Sequence, residues 1–211
     1  MKKIITVDGP AGSGKEKISK YIARKYKLYH IDSGIFYRRL AYELEKKIIK
    51  TSEKQKIKKL IKTINKLSLR KVSALRKEKI GVGASEIARY GFVRDFINLQ
   101  QRLTTITLNK KKGFVIDGRD IGSVVFKKSF IKLYIYADIN IRAKRRYKQL
   151  IDSGEKSIYL KILKDIKLRD KKDKSRKNSP LVVPKGAVII DNSYTFKNTI
   201  SQITKIIEGI K

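Results

Sequence analysis

Eight residues near the start of the chain, Asp8-Gly9-Pro10-Ala11-Gly12-Ser13-Gly14-Lys15, constrain its fold more than any other feature. They fit the pattern G-x-x-x-x-G-K and stand between a short β-branched run, Ile4 to Val7, and a helix-period stretch with Ile18, Ile22, Ala23 and Tyr26. A strand, a glycine-rich loop and a helix start turn successive backbone N–H groups inward, add the partial positive charge of the helix, and let Lys15 reach terminal phosphates. The sequence therefore predicts a phosphate-binding loop at the first strand. A glycine-rich βα turn without a ligand accounts for fewer of these features. The pattern normally continues with Ser or Thr, whose hydroxyl helps hold Mg²⁺, but Glu16 and Lys17 follow here. Ser13 and Ser19 are nearby hydroxyls, Asp117 is a strand-end carboxylate able to face a metal, and Lys17 is a further charge close to the phosphates.

Periodicity extends the first unit into an α/β fold. Tyr29 to Asp32 reads as a second strand, and Ile35, Phe36, Leu40, Ala41, Leu44 and Ile48 return at helical spacing. Two βα units imply a parallel sheet. Phe114 to Ile116, Ile131 to Ala137 and Ala187 to Ile190 are apolar runs of buried-strand length, bringing the count to five. Between them the pattern changes. A lysine-rich helix (Ile57, Leu60, Ile61, Ile64, Leu67), a hairpin from Leu69 to Gly83 and a helix from Ser85 to about Leu108 are expected to form an insertion. Arg142 to Asn178 reads as two helices separated by Ser153-Gly154, followed by a loop with Pro180 and Pro184, the composition of a mobile flap. A last helix from Thr195, with Phe196, Ile200, Ile203, Ile206 and Ile207 on one face, is expected to close the sheet's second side. The whole is a single domain over residues 1–211, with a core of 1–47, 109–138 and 185–211, an insertion over about 48–108 and a lid over about 142–180.

Composition narrows the chemistry. With 41% hydrophobic residues, the 211-residue chain can bury a full core, so a disordered or low-complexity chain is excluded. The absence of Cys removes thiolate chemistry and cysteine-ligated metals, and the single His30 rules out a histidine-rich metal site. His30 reads as a satisfied residue of a buried strand and is given no role. The net charge of +34 comes mainly from 39 lysines spread along nearly the whole chain, which points to solvated lysine faces more than to a nucleic-acid patch. Met1-Lys2-Lys3 leads directly into Ile4, and no run approaches a membrane span, so a cytosolic protein is expected. The 14 arginines are more telling. Arg142, Arg145 and Arg146 at i, i+3 and i+4, and Arg169, Asp173 and Arg176 at i, i+4 and i+7, each share one side of a helix. By spacing alone these also fit solvated arginines and an ordinary Arg169–Asp173 ion pair.

Three further segments carry a resemblance: Asp32-Ser33-Gly34-Ile35-Phe36-Tyr37-Arg38, Asp117-Gly118-Arg119-Asp120-Ile121-Gly122-Ser123-Val124-Val125-Phe126, and Arg169-Asp170-Lys171-Lys172-Asp173-Lys174-Ser175-Arg176. With the phosphate loop, in this order, they resemble the bacterial cytidylate kinase family of nucleoside monophosphate kinases. The resemblance implies a P-loop NTP-binding fold: a five-stranded parallel sheet flanked by helices, with an insertion that binds the nucleoside monophosphate and a helical lid. It implies ATP as phosphoryl donor with Mg²⁺, CMP or dCMP as acceptor, and a monomer without membrane or specific nucleic-acid partners. On the donor side it places Gly9, Pro10, Ala11, Gly12, Ser13, Gly14, Lys15, Glu16 and Lys17, with Arg142, Arg145 and Arg146 closing over ATP. Arg38, Arg119 and Arg176 would grip the CMP phosphate beside Ser33 and Tyr37. Ser85, Arg94 and Asp120 would read the cytosine edge, while Arg169 and Asp173 would hold the ribose hydroxyls. Lys15, Arg38, Arg119 and Arg176 would carry the catalytic charge and Asp117 the metal. Departures from the family pattern are Glu16-Lys17, a shortened Leu69–Gly83 strand region, and Lys172 and Lys174 where Arg is usual. A UMP or AMP kinase on the same sheet, and a basic nucleic-acid-binding protein with a degenerate nucleotide site, are the competing readings.

Overall fold

The computed structural model describes residues 3–70, 72–108, 111–152 and 154–210; Met1, Lys2 and Ser153, which entered the sequence reading, lie outside them. Five strands, β1 (Lys3–Asp8), β2 (Tyr29–Asp32), β3 (Gly113–Gly118), β4 (Ile131–Tyr136) and β5 (Val188–Asp191), form one sheet in the order β2-β3-β1-β4-β5. β1 pairs in parallel with β3 and β4, and β4 with β5. This order puts β1 at the point where successive connections diverge, the usual place for a ligand crevice in a parallel sheet. Register sets Asp8 beside Gly118 on one side and Tyr134 on the other. The carboxyl ends of the paired strands therefore gather around the end of β1.

The chain forms two compact units, Met1–Ile31 with Lys111–Lys211, and Asp32–Lys110. In the first, Ile5 and Val7 of β1 pack with Val115, Leu133, Ile135 and Ile190 under α1 (Lys15–Lys25) and α8 (Phe196–Gly209). The last helix thus lies beside α1 on the same face, with Tyr21 edge-on to Phe196 at 6.1 Å between centroids, and does not close the opposite side. Its start explains why. Thr199 donates to Asn192 Oδ1 (2.9 Å) and Asn192 Nδ2 donates to the Ser13 carbonyl (2.7 Å), so the chain leaving β5 is tied to the loop that begins α1. The two charged helices are present as α6 (Ile139–Asp152) and α7 (Tyr159–Ser175), sharing a small core of Ala143, Ile162 and Ile166.

The second unit holds α2 (Gly34–Lys46), α3 (Lys54–Thr63), α4 (Glu78–Ile87) and α5 (Gly91–Thr107). It begins at Asp32, earlier than the composition change near residue 48, because α2 packs on α4 and α5 through its buried face. The expected hairpin from Leu69 to Gly83 is absent among the described residues; Lys71 lies outside them, Ser73–Arg76 is a 3₁₀ turn, and α4 follows. The single helix from Ser85 to Leu108 is likewise two helices, broken where Tyr90 turns extended. α3 stops at Thr63, so Ile64 and Leu67 fall beyond it. The Leu67 N–H donates to the Gln100 side chain at 2.9 Å.

Candidate active site

β1 delivers a buried Asp8 and then the phosphate loop. Gly9 (φ 154°) leaves no room for a side chain, since a Cβ there would strike the Ile135 carbonyl, and Gly14 (φ 85°) opens α1 in the left-handed region against Asn192. The loop is braced from two sides. Asn192 holds the Ser13 carbonyl, while Arg142, itself buried, donates to the Ala11 carbonyl (3.0 Å), to the Ala137 carbonyl (2.9 Å) and to Asp170 of α7 (2.7 Å). Lys15 is 8% exposed and its Nζ donates to the Pro10 carbonyl at 3.0 Å, curled over the loop. Ser13 Oγ is buried against Gly9 and has no hydrogen-bond partner among the described residues. Braced loop, helix start and lysine make a cradle for a phosphate chain.

The other donor-side residues separate. The Glu16 carboxylate is exposed and pairs with Lys20, and Lys17 lies over the Phe196 ring at 4.2 Å, so neither side chain turns to the loop interior. Arg145 donates to the Tyr194 carbonyl at 3.4 Å, its other terminal nitrogen buried and without a hydrogen-bond partner among the described residues; burial pushes its guanidinium below the usual range and Asp191 opposes this. Arg146 is exposed and donates to Gln149. Arg142 is thus a brace, and Arg145 and Arg146 point to different surroundings. Beside Arg142, Lys167, Lys171 and Lys174 of α7 line an open surface depression together with Ile139 and Asp170.

One helical turn along α7 from Asp170, the Asp173 carboxylate accepts from Arg119 (3.1 Å) and Arg176 (3.1 Å). Burial pushes this carboxyl up, but the charges of Arg119, Arg176 and Arg169 outweigh it and hold it below the usual carboxylate range. Asp173 therefore stays ionised between two guanidinium groups, and Arg169 is exposed nearby on α7. Arg119 and Asp120 sit in the turn after β3, and Asp120 is buried at the head of a π-helical turn, Ile121–Val125. Asp117 of β3, expected to meet a metal, is engaged at 2.6 Å by His30 of β2. His30 is satisfied as expected, with a carboxylate as its partner.

In the second unit, Arg94 is 3% exposed, donates to the Ala88 carbonyl (2.7 Å) and to the Tyr37 hydroxyl (3.5 Å), and lies 5.7 Å over the Tyr37 ring. Arg38 donates to the Leu75 carbonyl at 2.9 Å, Ser33 is buried at the start of α2, and Ser85 is exposed near the end of α4.

Comparison with known proteins decides the family. The family model for cytidylate kinase matches residues 5–210. The chain is 36% identical to a cytidylate kinase of Thermosipho africanus, covering 96% of this chain and 93% of the relative. It is 35% identical to one of Fusobacterium nucleatum (99% and 98%) and 40% identical to one of Rickettsia bellii (90% and 85%). The chain belongs to the cytidylate kinase family. Among solved structures, an uncharacterized protein of Eubacterium ventriosum superposes with a TM-score of 0.52 at 17% identity, covering 98% of each chain. TT1252 of Thermus thermophilus superposes at 0.50 and 12% identity, covering 100% of this chain and 98% of its own; both support the fold alone.

Within this cytidylate kinase family member, the loop forms a phosphate cradle, and the carboxylates expected near a metal have other partners. The position after Lys15 carries an outward Glu16, Asp117 is engaged by His30, and among the described residues no cluster of three or more His, Cys, Asp or Glu could hold a metal. Sequence reasoning missed two residues of the site. Asn192 follows β5 in Asp191-Asn192-Ser193, a turn signal that carries no hint of its reach to Ser13. Tyr134 lies across from Asp8, where burial and the charges of Asp170 and Asp8 push its phenol above the usual range, against Arg119 and Arg142. It reads from sequence only as a strand aromatic.

Proposed function

We propose that the chain transfers the γ-phosphoryl group of ATP to the phosphate of CMP or dCMP, giving ADP and CDP or dCDP. The observation that carries this reading is the braced phosphate loop with Lys15, one side of it fixed by Arg142 to the same helix that brings Asp173 to Arg119 and Arg176. The acceptor is already an anion, so its oxygen attacks phosphorus without a base, and catalysis rests on alignment and on cations that meet spreading charge. Lys15 takes the terminal phosphates of the donor. Arg119 and Arg176, with Arg38, take the acceptor phosphate, and Asp173 with Arg169 takes the ribose hydroxyls. Ser85, Arg94 and Asp120 read the base, with Ser33 and Tyr37 shaping the wall. Mg²⁺ carried in with the nucleotide would supply further charge neutralisation. The insertion of about 48–108 presents the acceptor, and the lid of about 142–180 excludes water. The enzyme works in the cytoplasm, as a monomer, where its nucleotide substrates are.

A coupled assay of ADP release with ATP and Mg²⁺, run with CMP, dCMP, UMP and AMP in turn, tests the reading. CMP and dCMP are expected to turn over at least about tenfold faster than AMP, as paired polar groups left unsatisfied by a wrong base predict. Equal rates with all four acceptors would overturn it.

A further inference from the structure

Asp8 immediately precedes the phosphate loop, yet its carboxylate points to another segment. Its two oxygens accept the backbone N–H groups of Ile121 (2.8 Å) and Gly122 (2.7 Å), and the residue is fully buried. Those two N–H groups belong to the π-helical turn that Asp120 opens, in which the Asp120 carbonyl accepts from Val124 (2.9 Å) and Val125 (3.2 Å). The turn is pressed onto β1. A Cβ at Gly122 would lie 2.7 Å from Thr6 Oγ1 and 3.1 Å from Asp8 Oδ2, so glycine and carboxylate form one fitted pair. One side chain thus ties the strand end that starts the phosphate loop to the turn that carries Arg119 and Asp120.

We propose that Asp8 is a positioning residue for phosphoryl transfer: its ionised carboxylate locks the 119–122 turn to the end of β1, holding Arg119 and Asp120 at a fixed distance from the phosphate loop. This deepens the reading above and rests on it. The geometry needs two acceptors, and ionised Asp has them; a protonated carboxyl or an Asn offers one acceptor and turns a donor toward the second N–H. Burial pushes the Asp8 carboxyl up to about 6 against those two N–H groups, with the Asp120 charge adding to the rise and Lys15 opposing it. Lys15 faces it from α1, Asp120 from the turn and Tyr134 from β4. The lock therefore loosens just below neutral pH.

Asp8→Asn and Gly122→Ala test this, the second pushing the turn away while leaving the carboxylate in place. Both are expected to raise KM for CMP by about tenfold or more, the loss of a charge-assisted hydrogen bond, with KM for ATP changed less than about twofold. Between pH 7.5 and 5, kcat/KM for CMP should fall more steeply in the wild type than in Asp8→Asn. The acceptor's own phosphate ionisation near pH 6 is common to both proteins and cancels in that comparison. Binding of CMP and of ATP to each protein, read by calorimetry, separates the two levels of the account. A wild type that binds CMP without turnover sinks the kinase reading. Variants whose CMP affinity matches wild type, or whose ATP and CMP affinities fall equally, sink the positioning role. If Asp8→Asn does not fold, Gly122→Ala alone decides.

Discussion

Asp8 also carries a stability cost that has the opposite pH dependence from its role. Its folded-state carboxyl titrates at about 6 against an ordinary 3.8, so the fold disfavours the ionised form. That penalty is fully present above about 6 and fades as pH falls toward 3.8; a displacement of roughly two units corresponds to about 3 kcal/mol. Thermal melts of wild type and Asp8→Asn should therefore diverge in favour of the wild type as pH drops from 7.5 to 5. A constant difference would show that Asp8 is ionised throughout. Asp173 behaves in the reverse sense, since its carboxyl is held below the ordinary value and its contribution is lost only in more acid solution. It contributes nothing to an acid limb near pH 6. These partnerships were not legible in the chain. Asp8 with Ile121, His30 with Asp117 and Arg119 with Asp173 join residues 113, 87 and 54 positions apart, and no local pattern encodes a long-range hydrogen bond.

At the scale of elements, what the sequence showed was whatever depends on local periodicity. The five strands, the phosphate loop and helices α1, α2, α6, α7 and α8 follow from apolar runs, glycine spacing and caps. The segment Leu69 to Gly83 reads as a hairpin because Gly81 and Gly83 sit among alternating apolar residues. In the fold those glycines belong to α4 where it packs on α2; a Cβ at Gly83 would make ordinary contact with Ala41 Cβ (3.6 Å), and one at Gly81 would press on the Arg38 guanidinium (3.1 Å). Burial of Ile80, Ala84 and Ile87 outweighs the weak helix propensity of glycine. Arg142, Arg145 and Arg146 show the same limit: helical spacing gathered them, but packing assigned Arg142 to the interior. Arg142→Met should cost about 2–4 kcal/mol in urea unfolding, by removing the buried guanidinium that braces the loop and leaving half-buried Asp170 without that partner. Arg146→Ala, on the exposed side, should stay within about 0.5 kcal/mol. Equal losses in both would show that the brace is not structural.

For the whole molecule, a charge of +34 invites a nucleic-acid reading, yet the cations of the site are few and fixed while the lysines are spread over the exposed faces. Exposed charges are screened beyond about 8 Å at physiological salt. On the proposed function, acceptor recognition through paired arginines and base-reading groups should therefore change KM for CMP by less than about threefold between 50 and 200 mM KCl. Polyanion binding over the same range would weaken by about a thousandfold or more. If this chain joins a donor phosphoryl group to an acceptor phosphate, its product can be seen directly. In ³¹P NMR of ATP, Mg²⁺ and CMP with catalytic enzyme, a new pair of coupled diphosphate resonances from CDP should grow together with those of ADP, in equal amounts and without inorganic phosphate. Growth of ADP with inorganic phosphate and no CDP would mean that the site hydrolyses ATP, contradicting the account.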